Sequence, residues 1–358
     1  MSAEHEVSIK SAKSIASNID LDRYIPIEIG ITKDGYMVDG EELELMKVGR
    51  SCVPDYEMVF VKKKLSPNRH ANMVYKIQDN RVIDKVDFDI VFPVLHGSFG
   101  EDGTIQGLLE FNQIPYAGPD IPTCVNGIDK VLFKELLNSA EIPNADYIFL
   151  YRFSCNIKRI KKEVKSSLGY PVFVKPSNTG SSVGVSKVNS EDQLQKAVEY
   201  AFKFFDKILI EKAINNVREI EVSVLGNWSN VKVSVPGEII PNDIFYSYED
   251  KYLKNDAKLI IPAELDLKTN NKIINLAKKV YKTLNCSGMA RVDFLINAKT
   301  GEVFVNEINT IPGFTSISMF PKLLEYSGLS YKDLITKLIQ LGVERYDEKC
   351  KNETKSHK

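Results

Sequence analysis

"ARVDFLINAKTGEVFVNEINTIPGF", residues 290–314, is two apolar runs with a polar break. Val292–Ile296 and Val303–Ile308 are rich in Val, Ile and Phe, and "NAKTG" separates them, a hairpin signature. A three-residue loop, Lys299–Gly301, would put Gly301 in the left-handed conformation such loops need. Residues whose numbers sum to 600 then face one another. Asp293 faces Glu307, Arg291 faces Asn309, and all four share one sheet face because strand side chains alternate. Carboxylates directly opposite one another are destabilising, so this pair calls for a cation. An oxygen-only set of Asp293, Glu307 and Asn309 suits Mg²⁺ or Mn²⁺ better than zinc. The alternative left open by this stretch is a hairpin whose polar face meets water.

The chain has 358 residues, which at about 150 per domain suggests two or three domains. With 43% hydrophobic and 27% charged residues it has a soluble, globular composition. A net charge of −1 gives no bulk attraction to nucleic acid or to an anionic membrane. No apolar stretch reaches the roughly 18 residues of a spanning helix, and the polar start "MSAEHEVSIK" lacks a signal-peptide core. Five scattered cysteines without C-x-x-C spacing fit reduced thiols and a cytoplasmic location.

Helix and strand signals alternate, which predicts an α/β protein. Val7, Ala12, Ile15, Ala16 and Ile19 form one helix face, and Ile25, Ile27, Ile29 and Ile31 alternate as a strand. Residues 40–80 have weak periodicity and read as loops and short elements. "VDFDIVFPVLHG" reads as a buried parallel strand, followed by a helix over 104–111. Gly and Pro in "YAGPDIP" (116–122) mark a boundary. The units are therefore 1–122, 123–235 and 236–345, with a charged tail, 346–358, expected to be disordered.

Four further stretches carry candidate chemistry. "FVKPSNTGSSVGVSKV" (173–188) is a strand ending in Lys175 and a loop of small residues whose N–H groups can approach phosphate; a plain flexible hairpin loop explains it as well. It is not a Walker A loop. "ILIEKAI" (208–214) ends a buried strand with Glu211 and Lys212, and Glu219 follows in "REIEV"; these residues could grip a nucleoside or be solvated charges. "LHGSFGEDGTIQG" (95–107) sets His96 and Glu101 beyond the carboxyl end of a strand, where open α/β sheets bind ligands. "FYSYEDKY" (245–252) packs four aromatics into a long connection, and reads as a lid.

Together these stretches resemble the D-alanine–D-alanine ligases of the ATP-grasp superfamily. "EHEVS" (4–8), "VLHGSFGEDGTIQG", "DK" (129–130), "VKPSNTGSSVG", "IEK" (210–212), "REIEV", "FYSYEDKY", "RVDF" and "NEINTIPGFTSIS" (306–318) fall in the family's order over nearly the whole chain. The resemblance implies an ATP-grasp fold in three domains: an N-terminal Rossmann-like parallel sheet, then two α+β domains that hold ATP. It implies two Mg²⁺ (or Mn²⁺) ions on Asp293, Glu307 and Asn309. Lys130, Lys175 and the loop with Ser182 would hold the ATP phosphates, and Glu211, Lys212, Ala213 and Glu219 the adenosine. The carboxylate of a first D-alanine would attack the γ-phosphorus to give an acyl phosphate, and the amine of a second would displace phosphate. Cations must cancel the repulsion between carboxylate and triphosphate. Arg291 and the N–H of Gly313 match the family's oxyanion donors. Glu4 would pair with the first ammonium, and Ser318 and Lys251 with the second carboxylate. Tyr252 and Ser181, bonded toward Glu4, would latch the lid against water. His96 and Glu101 would flank the second substrate. D-Lactate enzymes of the group lack the lysine–tyrosine lid, so Lys251–Tyr252 favours an amine, D-alanine or D-serine. The resemblance also leaves a homodimer open.

One departure stands out. Family chains begin with a strand and a Gly-Gly turn before this helix, whereas here the helix follows Met1 almost at once. The expected result is a first sheet lacking its first, central strand, with each buried unpaired backbone group costing about 1–3 kcal/mol. Glu4 would then lie beside a frayed terminus. Two rival readings are an ATP-grasp ligase for another acid and amine, and a nucleotide-binding protein without turnover.

Overall fold

The computed structural model describes residues 5–32, 37–38, 54–63, 72–78, 81–228, 230–240 and 258–356. Helix α1 (His5–Asn18) packs beside a sheet of β1 (Tyr24–Thr32), β2 (Met37–Val38), β3 (Pro54–Lys63) and β6 (Ile90–Val94), in the order β2-β1-β3-β6. A separate hairpin joins β4 (Asn72–Gln78) to β5 (Arg81–Phe88).

The pairing in this first unit corrects the sequence reading. β3 is a ten-residue strand inside the stretch read as loops, and it runs antiparallel to both β1 and β6. The expected parallel sheet is therefore not found among the described residues, whose one parallel contact in this unit is the bridge between Val91 and Tyr116. The physical reason lies in β6. Its five residues are all buried, and a buried strand must pair its N–H and C=O groups. β3 pairs antiparallel with all five of them along one edge.

Helix α2 (Thr104–Phe111) belongs to the first unit, where Ile105 and Leu109 pack with Ile29, Phe88, Val91 and Leu95. The second unit contains α3 (Ile121–Ile128), α4 (Lys130–Ser139), β7 (Tyr147–Tyr151), α5 (Ile157–Glu163), β8 (Val172–Pro176), β9 (Ser186–Val188), α6 (Glu191–Ala201) and β10 (Lys207–Lys212). Its antiparallel sheet has the order β7-β10-β8-β9. Val172, Val174, Ile208 and Ile210 point into an apolar core with Leu194 and Val198 of α6. By the alternation of strands, Phe173, Lys175, Leu209 and Glu211 occupy the other face.

The third unit holds β11 (Val217–Asn227), β12 (Asn230–Val233), β13 (Gly237–Ile240), β14 (Lys258–Ile260), α7 (Leu267–Thr283), β15 (Met289–Asn297), β16 (Val303–Asn309), α8 (Met319–Tyr326) and α9 (Tyr331–Ser356). Ile220, Val222, Val292, Phe294, Val303, Val305 and Ile308 pack under α7 through Ile273, Ala277, Val280 and Tyr281. The opposite face carries Glu219, Glu221, Arg291, Asp293, Glu307 and Asn309.

The tail expectation is also corrected, since α9 continues as one helix to Ser356. Its charged end is anchored: Arg345 donates to the carbonyls of Tyr116 and Gly118 and stacks on the Tyr116 ring, and Lys349 pairs with Glu110 at 2.7 Å. No helix among the described residues is long and apolar enough to cross a membrane. The cysteines among them are free thiols.

Candidate functional site

The hairpin β15–β16 brings Asp293 opposite Glu307 and Arg291 opposite Asn309, as the alternation predicts. The route differs. Ile296 pairs with Val303, and Asn297 with Glu302, so the loop is one residue longer than expected, with Gly301 at φ 72°. Asn306 then bulges out between Val305 and Glu307 and restores the pairing at the polar end. Bulges of this kind re-aim side chains beside functional sites.

Asp293 is nearly buried and accepts from Arg291 through Nε at 2.8 Å and Nη2 at 2.7 Å. Asn309 donates to it at 2.9 Å. The guanidinium also reaches Glu221 on β11 at 3.0 Å, and Glu221 stands directly opposite Asp293. Arg291 is thus the cation among these carboxylates. Asp293, Glu307 and the Asn309 amide oxygen, once the amide is turned, form an all-oxygen donor set that fits a hard divalent cation.

The polar face of the central sheet supplies positive charge. Asp129 caps α4, accepting from the N–H groups of Val131 and Leu132, and pairs with Lys207. Lys130 follows; its N–H donates to Ser177 and its Nζ to the carbonyl of Thr179, at 2.9 and 2.5 Å. Burial pulls Lys130 below the usual lysine range, while Glu307 across the site opposes this. Burial also works against a charged Lys175, but Glu211, then Glu307 and Glu219, outweigh it and raise its pKa. Lys130 of the α4 N-terminus and Lys175 of β8 therefore both lie in the field of Glu307 on the other sheet.

The loop after Lys175 bends through two successive left-handed residues, Ser181 (φ 49°) and Ser182 (φ 61°). This conformation is uncommon for residues other than glycine, and such strain marks functional loops. Ser177 Oγ and Asn178 Oδ1 are buried without a hydrogen-bond partner among the described residues. Orphaned polar atoms in a native loop point to a bound group.

Glu211 is 4% exposed and both its oxygens are engaged: Oε1 by Lys134 and Oε2 by Lys175, each at 2.5 Å. Burial alone would raise its pKa, but the two lysines hold it down, from an ordinary 4.5 to about 2. A lowered carboxylate pKa contributes stability that is present above the unfolded value and lost as pH falls toward the folded one. Accordingly, the difference in unfolding free energy between wild type and Glu211→Gln should shrink from pH 5 to pH 3. A constant difference in denaturant titrations would count against the ion pairs.

Other candidates divide. Lys212 lies on the opposite strand face, exposed and 3.8 Å from Asp146. The N–H of Ala213 is taken by the carbonyl of Pro171. His96 is buried, with Nδ1 2.9 Å from the Ile311 carbonyl and Nε2 3.1 Å from Ser11 Oγ. Glu101 accepts from the N–H of Ile311 at 3.2 Å and of Gly97 at 2.9 Å. Both thus grip the Ile311 peptide next to Gly313. Ser318 Oγ accepts from the Thr315 N–H, and a Cβ on Gly313 would meet that Oγ at 2.6 Å, so a side chain there would displace the Ser318 hydroxyl. Glu4, Lys251, Tyr252 and the 245–252 stretch lie outside the described residues.

Sequence reasoning missed Lys134 and Glu221. Lys134 sits between Val131 and Leu137 on the buried stripe of α4, and a lysine on an apolar stripe is a legible signal for a buried partner.

The comparisons with known proteins agree with this geometry. Residues 1–119 match the family model for the D-ala D-ala ligase N-terminus, and residues 136–340 the model for the D-ala D-ala ligase C-terminus. The D-alanine–D-alanine ligase of Caldicellulosiruptor bescii is 46% identical over 355 residues, covering 98% of this chain and 94% of that protein. That of Acetivibrio thermocellus is 46% identical over 364 residues, covering 98% and 95%. Among solved structures, the D-alanine-D-alanine ligase of Coxiella burnetii superposes with a TM-score of 0.80 at 32% identity, covering 100% of this chain and 96% of that one. The VanG D-Ala:D-Ser ligase of Enterococcus faecalis gives 0.77 at 33%, covering 95% and 96%. Facing carboxylates, opposed lysines and a two-part family match over almost the full length lead to one conclusion: the chain belongs to the D-alanine–D-alanine ligase family, and its fold is that family's ATP-grasp fold.

Proposed function

We propose that this protein joins two molecules of D-alanine at the expense of ATP, through an acyl phosphate on the first, to supply the dipeptide of peptidoglycan precursors. The observation that carries the reading is the pairing of Asp293 with Glu307 on one sheet, with Glu307 acting on Lys175 of β8 and on Lys130 at the start of α4. Asp293, Glu307 and Asn309 would hold Mg²⁺, two ions in our reading. When bound, such ions neutralise phosphate charge and stabilise the transferring phosphoryl group.

The residues of the chain do the rest. Lys130 and Lys175 attract the triphosphate, and the N–H groups of the loop around Ser181 and Ser182 cradle it. Glu211 and Glu219 line the nucleotide end. Arg291 and the Gly313 N–H face the oxygen that becomes negative when the second amine attacks. Glu4 takes the first ammonium; Ser318 and Lys251 take the second carboxylate. Tyr252 and Ser181 close the lid so that water does not reach the acyl phosphate. His96 and Glu101 serve this site by holding the Ile311 peptide in place.

The test is phosphate release from ATP and Mg²⁺ with D-alanine, with L-alanine, or with neither. Release only with D-alanine, and a product of dipeptide mass, is expected. ATP binding without release would instead leave a protein that holds nucleotide and does not turn over. D-Serine offered in competition reads the acceptor directly, and a mixed dipeptide in excess would move the assignment to a D-Ala:D-Ser ligase.

A further inference from the structure

Glu211 is placed as a nucleotide-binding residue, yet neither of its oxygens is open. Its Oε2 lies 2.5 Å from Lys175, the lysine at the start of the phosphate loop. Its Oε1 lies 2.5 Å from Lys134, which belongs to no motif of the site. Lys134 is as deeply buried as its partner, with its side chain 2% exposed. Its remaining protons go to the Ala145 carbonyl at 3.1 Å and Asn144 Oδ1 at 3.2 Å, and its ammonium lies 5.2 Å from the centre of the Tyr147 ring. All three donors of the ammonium therefore have fixed acceptors. Lys175 is more accessible, at 17%, and Glu211 and the Phe173 ring, at 5.6 Å, are its neighbours.

The two lysines are thus unequal. One is held by its hydrogen bonds in a buried pocket; the other stands at the rim with one ion-pair partner among the described residues. We propose that Lys134 is a positioning residue for nucleotide binding: as the permanent counter-ion of Glu211, it lets Lys175 exchange from Glu211 to a phosphate. This deepens the proposed ligase function and rests on it. Without Lys134, Glu211 would be a buried carboxylate with a single cation, and would hold that cation strongly. Lys175 would then be drawn away from the phosphate it has to meet. Burial pulls the Lys134 pKa down and Glu211 opposes it in part, so charge at each position depends on the other.

The experiment is calorimetric binding of ADP with Mg²⁺ to the full-length protein, with thermal unfolding and steady-state kinetics alongside. Lys134→Met should weaken ADP about tenfold, the usual scale of one charge-assisted contact, and raise KM for ATP by the same factor. The KM for D-alanine should stay within about twofold, a split that general loosening of the fold would not produce. Lys134→Arg, which keeps the charge, should bind ADP nearly as wild type does. A folded Lys134→Met with wild-type ADP affinity overturns the proposal, as does one whose KM for D-alanine rises as much as its KM for ATP. If Lys134→Met does not fold, Lys134→Arg decides alone, and a tenfold loss of ADP affinity in it overturns the proposal. Wild-type protein that fails to bind ADP would instead overturn the ligase reading itself, so the two failures are distinct.

Discussion

Replacing Asp293 by Asn, or Glu307 by Gln, should lower turnover by about a thousandfold or more and leave the protein folded. The size follows from the several kcal/mol that a metal clamp contributes to phosphoryl transfer, at 1.36 kcal/mol per tenfold. That the fold survives follows from local charge. Arg291 keeps Glu221 at 3.0 Å when Asp293 loses its charge, so no guanidinium is left buried alone. Glu307 is only partly buried and its neighbours Val305 and Ile308 remain in the core. Turnover with saturating ATP and D-alanine, and unfolding followed by circular dichroism, check both halves. A variant within tenfold of wild-type turnover would remove these residues from the metal site. A variant that is inactive because it is unfolded would show the pair to be structural.

The largest effect on stability is expected from Phe314→Ala. The Phe314 ring is fully buried, edge-on to Phe92 at 5.9 Å and beside Phe320 at 5.5 Å and Tyr331 at 6.4 Å. Its backbone is engaged as well, donating to Ser11 Oγ at 3.2 Å and accepting from the Tyr331 hydroxyl at 2.8 Å. Its ring therefore joins β6, α8 and α9, its backbone ties α1 to them, and it follows Gly313 directly. Truncation of a buried phenylalanine costs about 3–5 kcal/mol, and activity should fall with it because the 309–314 stretch loses its anchor. Denaturant unfolding reads the loss; a change below about 1 kcal/mol would mean that the ring is not the keystone of this core.

Some of this was legible in the sequence because strand alternation is a local code. Asp293 and Glu307, and the apolar backs of the same strands, could be placed on their faces from alternation, although the acids meet only because the Asn306 bulge offsets a turn one residue longer than the spacing suggests. Direction is not local. The buried run at Ile90–Val94 reads the same in a parallel or an antiparallel sheet, which is why the first unit was expected to be parallel. β3 was obscured because Glu57 and Lys62 interrupt its apolar residues, and its pairing depends on β1 and β6 rather than on itself. The helical end of α9 was hidden for a related reason. Its composition is that of a solvated tail, and what orders it is Arg345 and Lys349 meeting Tyr116, Gly118 and Glu110, far away in the chain. Lys134 shows the same limit, since it lies on a helix and its partner Glu211 on a strand far along the chain. The composite of motifs in order identified the family; the connections that bind the motifs to one another became visible only in three dimensions.

Asn306 has an implication for how this hairpin tolerates changes of length. It is the spare residue of its strand: the turn leaves the two strands one step out of phase, and Asn306 takes up the slack before Glu307. A chain shortened by that single residue would still present its two acids to each other. A residue added or lost elsewhere within the paired strands would rotate an acid into the oily interior and an aliphatic side chain into its place. The freedom of this segment to drift in length is therefore confined to the turn and to this one strand position.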